Sequence, residues 1–146
     1  MSTELTLKLT DDQVRRLDRQ AQKNKLTRPD VATYFLELAL RAAEFPDVEF
    51  RDFGAGFEAF VRGTRLRVWW VTTLVRDYDG DVSKAAEHIN VLEPVIRGAL
   101  AYASAFPDEV AAAIEQHDRD WKDLPAKLPN LRVFRVDLAA ADAPTP

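Results

Sequence analysis

The chain contains no cysteine, which excludes a disulfide framework and any thiolate metal site. It has only two histidines, His88 and His117, far apart and without a ligand cluster around either, so no histidine metal centre is expected. Both read as surface or boundary residues. Asp77, Asp79, Asp81 and Ser83 follow the spacing of early ligands in a calcium loop. The pattern then breaks, because Val82 takes the glycine position and His88 stands where a bidentate glutamate is required. Glycine is scarce, and Gly54-Ala55-Gly56 is too short for a phosphate loop and lacks its lysine. With no nucleophile beside an obvious base and no paired catalytic carboxylates, the expectation is a protein that is not an enzyme and needs no cofactor. No apolar run approaches the roughly 18 residues of a membrane span. Met1-Ser2-Thr3 lacks the regions of a signal peptide, so a cytoplasmic location without a membrane partner is expected.

What is present is globular in character. The 146 residues are 47% hydrophobic, enough for one ordinary domain or two small ones. The net charge of −4 is unevenly spread. Residues 1–46 sum to +1, 47–60 to −3, 61–105 to +1 and 106–146 to −3, so the acidity lies in a connector and the C-terminal part. A nucleic-acid-binding face at the N-terminus is compatible with this distribution, although bulk charge does not advertise one.

The N-terminal stretch "ELTLKLT" alternates Leu5, Leu7 and Leu9 with Glu4, Thr6, Lys8 and Thr10, the period-two pattern of a half-buried strand. No partner strand follows. The next residues show a helix start, with Thr10 or Asp11 as N-cap and Val14, Leu17 and Ala21 at helical spacing. A turn around Asn24 leads to a second helix capped by Thr27, with Pro29 and Asp30 in its first turn and Val31, Tyr34, Phe35, Leu38 and Ala39 on one broad face. That helix is expected to end near Glu44, ahead of Pro46. About 45 residues make too small a core to fold alone. Two copies solve both problems by pairing their strands antiparallel across a two-fold axis, with the leucines inward and Glu4, Thr6 and Lys8 outward.

Over residues 2–45, the order of elements and "LTLKLTDDQVRRLDRQAQKNKLTRPDVATYFLELAL" resemble the ribbon-helix-helix proteins, the Arc/MetJ/CopG class of repressors. The resemblance implies an intertwined homodimer whose ribbon enters the major groove of operator DNA, with Glu4, Thr6 and Lys8 facing base edges. It also implies that the start of the second helix, at Thr27 and Arg28, holds a phosphate. The alternative is an ordinary sheet edge that Lys8 merely solvates.

The second segment differs in character. Val48, Phe50 and Phe53, then Phe57 to Val61, then Leu66 to Val68, read as three short strands, with Gly63 at a positive-φ turn. Helices follow over Trp69 to Tyr78, after a cap at Asp81, and from Glu93-Pro94 to about Ala105, with Gly80 as a left-handed stop. "FVRGTRLRVWWVTTLV" and "LEPVIRGALAYASAFPDEV" look like the small helix-turn-helix domain of VapB-like antitoxins, the partners of PIN-type ribonuclease toxins. The last of these helices exposes Glu93, Arg97, Ala101 and Ser104, only one of them basic, which favours protein contact over a second DNA reader. Arg62, Arg65 and Arg67 form either a basic edge or a solvated hairpin tip.

From Pro107 a further helix is expected to about Trp121, with an extended arm after it because of Pro125 and Pro129. If the toxin resemblance holds, Arg132, Phe134 and Arg135 are the toxin-binding candidates, the arginines neutralising an acidic metal cluster. The alternative is an edge strand packing back on its own domain.

The expected fold is therefore α+β and mostly helical: a ribbon-helix-helix module over residues 1–46, a small β-hairpin plus helix-turn-helix domain over 47–121, and an extended arm and tail over 122–146. The expected function is that of an antitoxin, repressing its own operator as a homodimer and inhibiting a PIN-type ribonuclease. Two rivals stay open: a stand-alone ribbon-helix-helix regulator whose second domain oligomerises or senses a ligand, and a protein-interaction adaptor that does not bind DNA.

Overall fold

The computed structural model of the chain describes residues 1–52, 56–130, 132 and 134. It is α+β and mostly helical, in two compact units, Met1–Ala43 and Glu44–Pro146.

In the first unit, helix α1 (Asp11–Asn24) starts in a reciprocal capping box. The Thr10 hydroxyl accepts from the Gln13 N–H at 3.2 Å, and the Gln13 side chain accepts from the Thr10 N–H at 2.9 Å. Asp11 and Asp12 place negative charge at the positive end of the helix dipole. The helix ends at Lys25, which takes the left-handed conformation with φ 55° one residue beyond the Asn24 around which the turn was expected. The Leu26 N–H then closes onto Ala21 O at 2.9 Å. Helix α2 (Arg28–Glu44) follows at once. Its start is organised by Thr27, whose hydroxyl accepts from the Asp30 N–H and donates to the Asp30 carboxylate at 2.6 Å.

Only Ala21 and Val31 are buried in this unit. Val14 and Leu17 on α1, and Tyr34, Phe35 and Leu38 on α2, are half-buried. The strand expected over Glu4–Thr10 is not formed within one chain, since among the described residues no segment pairs with it. A strand exists only against a ladder partner, and both local neighbours are helices.

The second unit opens with a hairpin in which β1 (Val48–Asp52) pairs antiparallel with β2 (Phe57–Val61), in the register Val48↔Val61 and Phe50↔Ala59. The pleat sends those four side chains to the core and Glu49, Arg51, Glu58 and Phe60 to the other face. The third strand expected over Leu66 to Val68 reduces to a single bridge, Phe60↔Arg67, with the Val61 N–H bonded to Leu66 O at 2.8 Å. The reason is local: the Thr64 hydroxyl donates to Val61 O and accepts from the Leu66 N–H, making a tight turn around Gly63 (φ +73°) that leads straight into a helix. Phe53, expected in the first strand, lies outside the described residues.

Four helices complete the unit: α3 (Val68–Asp77), α4 (Val82–Ile89), α5 (Glu93–Ala105) and α6 (Pro107–Lys127). Gly80 at φ +84° follows α3, and the Asp81 carboxylate caps α4 by accepting from the Lys84 N–H at 3.0 Å. The core joins Val48 and Val61 of the hairpin to Val68 and Val71 of α3 and to Ile96, Ala99 and Tyr102 of α5. Tyr102 is fully buried, with the Phe45, Phe50 and Phe106 rings 5.3, 5.7 and 4.8 Å away. Its hydroxyl donates to Glu109 Oε1 at 2.6 Å.

The C-terminal expectation needs a correction. Helix α6 does not stop near Trp121 but runs through Pro125 to Lys127, so residues 122–127 are helical rather than part of an extended arm. Proline's φ is itself helical, and in the last turn it removes a single backbone hydrogen bond. The ladder still closes behind it, with the Leu128 N–H on Leu124 O at 2.9 Å.

Gly98 of α5 packs directly against Asp47. A Cβ there would overlap Asp47 Oδ2 and lie 2.8 Å from Asp47 Cβ, so the chain just before β1 rests on the surface of α5. A methyl group at Gly98 collides with Asp47 close to its backbone, where the side chain cannot swing aside. Gly98→Ala is expected to destabilise the protein by about 1–3 kcal/mol, despite alanine's better helix propensity. The urea midpoint measures this, and an unchanged or raised midpoint would contradict the packing described.

Candidate functional site

The side chains expected to read DNA, Glu4, Thr6 and Lys8, are all exposed in the single chain. So are the leucines that alternate with them, at 71% for Leu5, 60% for Leu7 and 43% for Leu9. The α2 helix adds to this apolar surface. Leu36 and Leu40, both 49% exposed, sit one turn apart on the side of the helix opposite Val31 and Leu38. A helix apolar on both sides requires cover on both sides. Within the first unit, α1 supplies only one.

Thr27 and Arg28 lie at the start of α2 as expected, but both are engaged inside the unit. The Thr27 hydroxyl serves Asp30. The Arg28 guanidinium donates two hydrogen bonds to the Asp18 carboxylate of α1, Nε to Oδ1 at 2.7 Å and Nη2 to Oδ2 at 2.8 Å. This bidentate bond, with the attraction of the two charges, holds the Asp18 carboxyl below its ordinary range and raises Arg28. A phosphate at this helix start would compete with Asp18 for the arginine. The sequence concealed the pairing because the partners are ten positions apart on different helices.

The basic edge on the hairpin is also built into the fold. Arg62 Nε donates to Pro46 O at 2.5 Å. Arg67 Nε donates to Glu58 Oε2 at 2.5 Å. Arg51 bonds Glu49 and donates to Thr64 O at 2.6 Å, while its guanidinium lies 4.5 Å from the centre of the Phe60 ring. Arg67 approaches the same ring at 5.3 Å. Phe60 is buried on the outer face of the hairpin, with both guanidiniums against its ring. The Arg51 hydrogen bond, the Gly63 N–H and the nearby Arg62 charge lower the Glu49 pKa against the opposing effect of burial. Arg65 is exposed at the turn. On α5, Arg97 pairs with Glu93 at 2.5 Å, so the outward face of that helix presents a neutralised pair with Ala101 and Ser104.

Among the toxin-binding candidates, Arg132 and Phe134 are exposed, Phe134 at 82%. Arg135 lies outside the described residues. Of the two histidines, His88 Nδ1 meets the Tyr78 hydroxyl at 2.9 Å, and the His117 ring lies 4.7 Å from that of Trp69. Among the described residues no helix is long and apolar enough to cross a membrane.

No family model, no curated protein and no solved structure matches this chain.

The Asp18–Arg28 pair gives a pH dependence of defined sign. Because the folded-state pKa of Asp18 is depressed, its contribution is present above the ordinary carboxylate pKa of about 4 and is lost as pH falls through the folded value. Asp18→Asn is therefore expected to lower the denaturation midpoint at neutral pH, with the deficit vanishing in acid and shrinking in high salt. Midpoints of both proteins across pH 2–7 check this, and a deficit that grows in acid would refute it.

Proposed function

We propose that the chain is a homodimeric DNA-binding regulator of the ribbon-helix-helix type, acting as the antitoxin of a PIN-type ribonuclease. The observation that carries the DNA-binding half is the unburied apolar surface of the first unit: three alternating leucines on an unpaired segment, and a second apolar side on α2. A second copy supplies the missing ladder and the missing cover together.

Symmetry restricts how the two strands pair. With Thr6 opposite its own copy, Glu4 of one strand lies beside Lys8 of the other, an opposite-charge pair on the outward face. With Leu7 opposite its copy, Lys8 faces Thr6 and this ion pair is lost. The first register gives Glu4 a role that base contact alone does not, orienting Lys8 toward the acceptor edge of guanine while Thr6 donates or accepts at the centre. The antitoxin half rests on exposed side chains late in the second unit's sequence, the apolar Trp121, Leu128 and Phe134 and the basic Arg132. These side chains would seat on the toxin, with Arg132 and Arg135 neutralising its acidic centre.

The test is binding of the full chain to the DNA upstream of its own gene at several salt concentrations. Specific binding is expected to weaken by about 1–3 kcal/mol per site in Lys8→Ala and Thr6→Ala, with relaxed sequence preference, while both variants stay dimeric. Leu7→Asp is expected to abolish the dimer and DNA binding together. A wild-type chain that is monomeric at micromolar concentration, or that shows no specific binding at any salt, rules out the repressor reading and leaves the adaptor. For the toxin half, the chain is expected to inhibit a PIN nuclease encoded beside it, and Arg132→Glu with Arg135→Glu to release the nuclease. Specific DNA binding without such inhibition leaves the stand-alone regulator.

A further inference from the structure

Helix α6 carries one apolar stripe along its length. Val110, Ile114, His117, Trp121, Leu124 and Leu128 follow one another at spacings of four, three, four, three and four residues, the seam of a coiled coil. The inner half of that seam is used within the unit. Val110 is buried, Ile114 packs against the core, and the His117 ring lies 4.7 Å from that of Trp69 on α3. The outer half is open, with Trp121 46% and Leu128 52% exposed and Leu124 half-buried between them. Such a seam is covered by another helix.

The side chains of the seam select α6 of a second copy, and they select its direction. A parallel pair sets Trp121 against Trp121 and His117 against His117, with Asp120 beside Pro125. An antiparallel pair with Trp121 opposite Leu124 places the large ring against a smaller side chain, and His117 then falls opposite Leu128. No other antiparallel register uses the open positions. A shift of one heptad toward the N-terminus needs Val110 and Ile114, which the core holds, and one toward the C-terminus runs past the helix end at Lys127. In the register that remains, Asp120 flanks the seam opposite Lys127 of the second copy, and Lys127 opposite Asp120. Both are exposed, and Asp120, which accepts from Gln116 Nε2 of its own helix at 3.0 Å, keeps further acceptor sites. Two opposite-charge pairs thus bracket the seam. We propose that the outer half of α6 pairs antiparallel with the same segment of a second copy, through Trp121 on Leu124, His117 on Leu128 and Asp120 on Lys127.

The pairing is independent of DNA binding. Its contact is short and of the small, weak class, so it forms at high concentration or between chains already held together elsewhere. Trp121 and Leu128 are also offered to the toxin above, so a toxin displaces the second copy; that consequence alone rests on the antitoxin reading.

The experiment uses the full chain carrying Leu7→Asp, in which the N-terminal strands cannot hold two copies together, so its result does not depend on the ribbon. Because the chain has no cysteine, Asp120→Cys and Lys127→Cys each add a single thiol. Treated with a short bis-maleimide at high protein concentration, a mixture of the two is expected to give a covalent dimer containing one of each, identified by mass, severalfold above either protein alone. Sedimentation equilibrium without the cysteines supplies the charge test: Asp120→Lys and Lys127→Asp are each expected to weaken self-association severalfold, and the two together to restore it. Trp121→Asp, at an exposed position that leaves the core intact, is expected to abolish it. A Leu7→Asp chain that stays monomeric at high concentration and yields no mixed cross-link, cross-linking as efficient within either cysteine protein as between them, or a charge-swapped chain no better than the single variants would overturn the proposal.

Discussion

Apolar side chains contribute to stability only when another surface excludes water from them, and the two halves of this chain meet that constraint in opposite ways. In the second unit every element has a neighbour. Tyr102 stands at the meeting point, touching the Phe45, Phe50 and Phe106 rings while its hydroxyl ties α5 to Glu109 of α6. Removing that hydroxyl's partner would leave a fully buried polar atom, so the ring and the carboxylate act as one constraint. The first unit has no such centre. Two buried side chains, Ala21 and Val31, hold two helices whose ends are nonetheless well capped by Thr10, Lys25 and Thr27. Good local caps beside poor burial leave both helices with apolar surface that α1 and α2 do not cover for each other.

The same local economy governs the charges. Arg28 is held by Asp18, Arg41 by Glu37, Arg51 by Glu49, Arg67 by Glu58 and Arg97 by Glu93. Such pairs add little stability at an exposed surface, but they cancel the positive potential that a count of arginines suggests. The hairpin illustrates the point: Arg51 and Arg67 lie against Phe60, and Arg51 and Arg62 bond backbone carbonyls, so of the basic edge read in sequence Arg62 and Arg67 are engaged within the fold while Arg65 is exposed at the turn.

What could be read from the sequence follows from how local each signal is. Thr10 and Asp81 lie one turn from the amides they cap, and Gly63 and Gly80 carry positive φ as the turn chemistry requires, so a single sequence suffices for them. The strands Val48–Asp52 and Phe57–Val61 are legible too, as short apolar-aromatic runs broken by glycine turns. The third strand was not, because the choice between a strand and an entry into α3 is made by the Thr64 turn rather than by the apolar run from Leu66 to Val68. The end of α6 is hidden because Pro125 signals a stop to the residues before it, whereas its ring acts on one carbonyl and one lost N–H. The contacts most consequential for the sites, Arg28 with Asp18 and Asp47 with Gly98, join positions that no periodicity relates. A cavity of about 130 Å³ lined by Phe57 and Glu58 of β2, Trp69 of α3, Tyr102 of α5 and Glu109 of α6 is of the same kind, since none of these residues stands out in its own segment.

That pocket shares its wall with the core. Tyr102 lies both in the core and in the cavity wall, and Glu109 both fixes Tyr102 and lines the cavity. The helix α6 extends beyond the Tyr102–Glu109 hydrogen bond for more than four turns, to the exposed Trp121 and to Lys127, so that bond ties α6 to the core at its first turn while the rest of the helix relies on its own backbone ladder and on the side chains that reach back to the core, Val110 and Ile114.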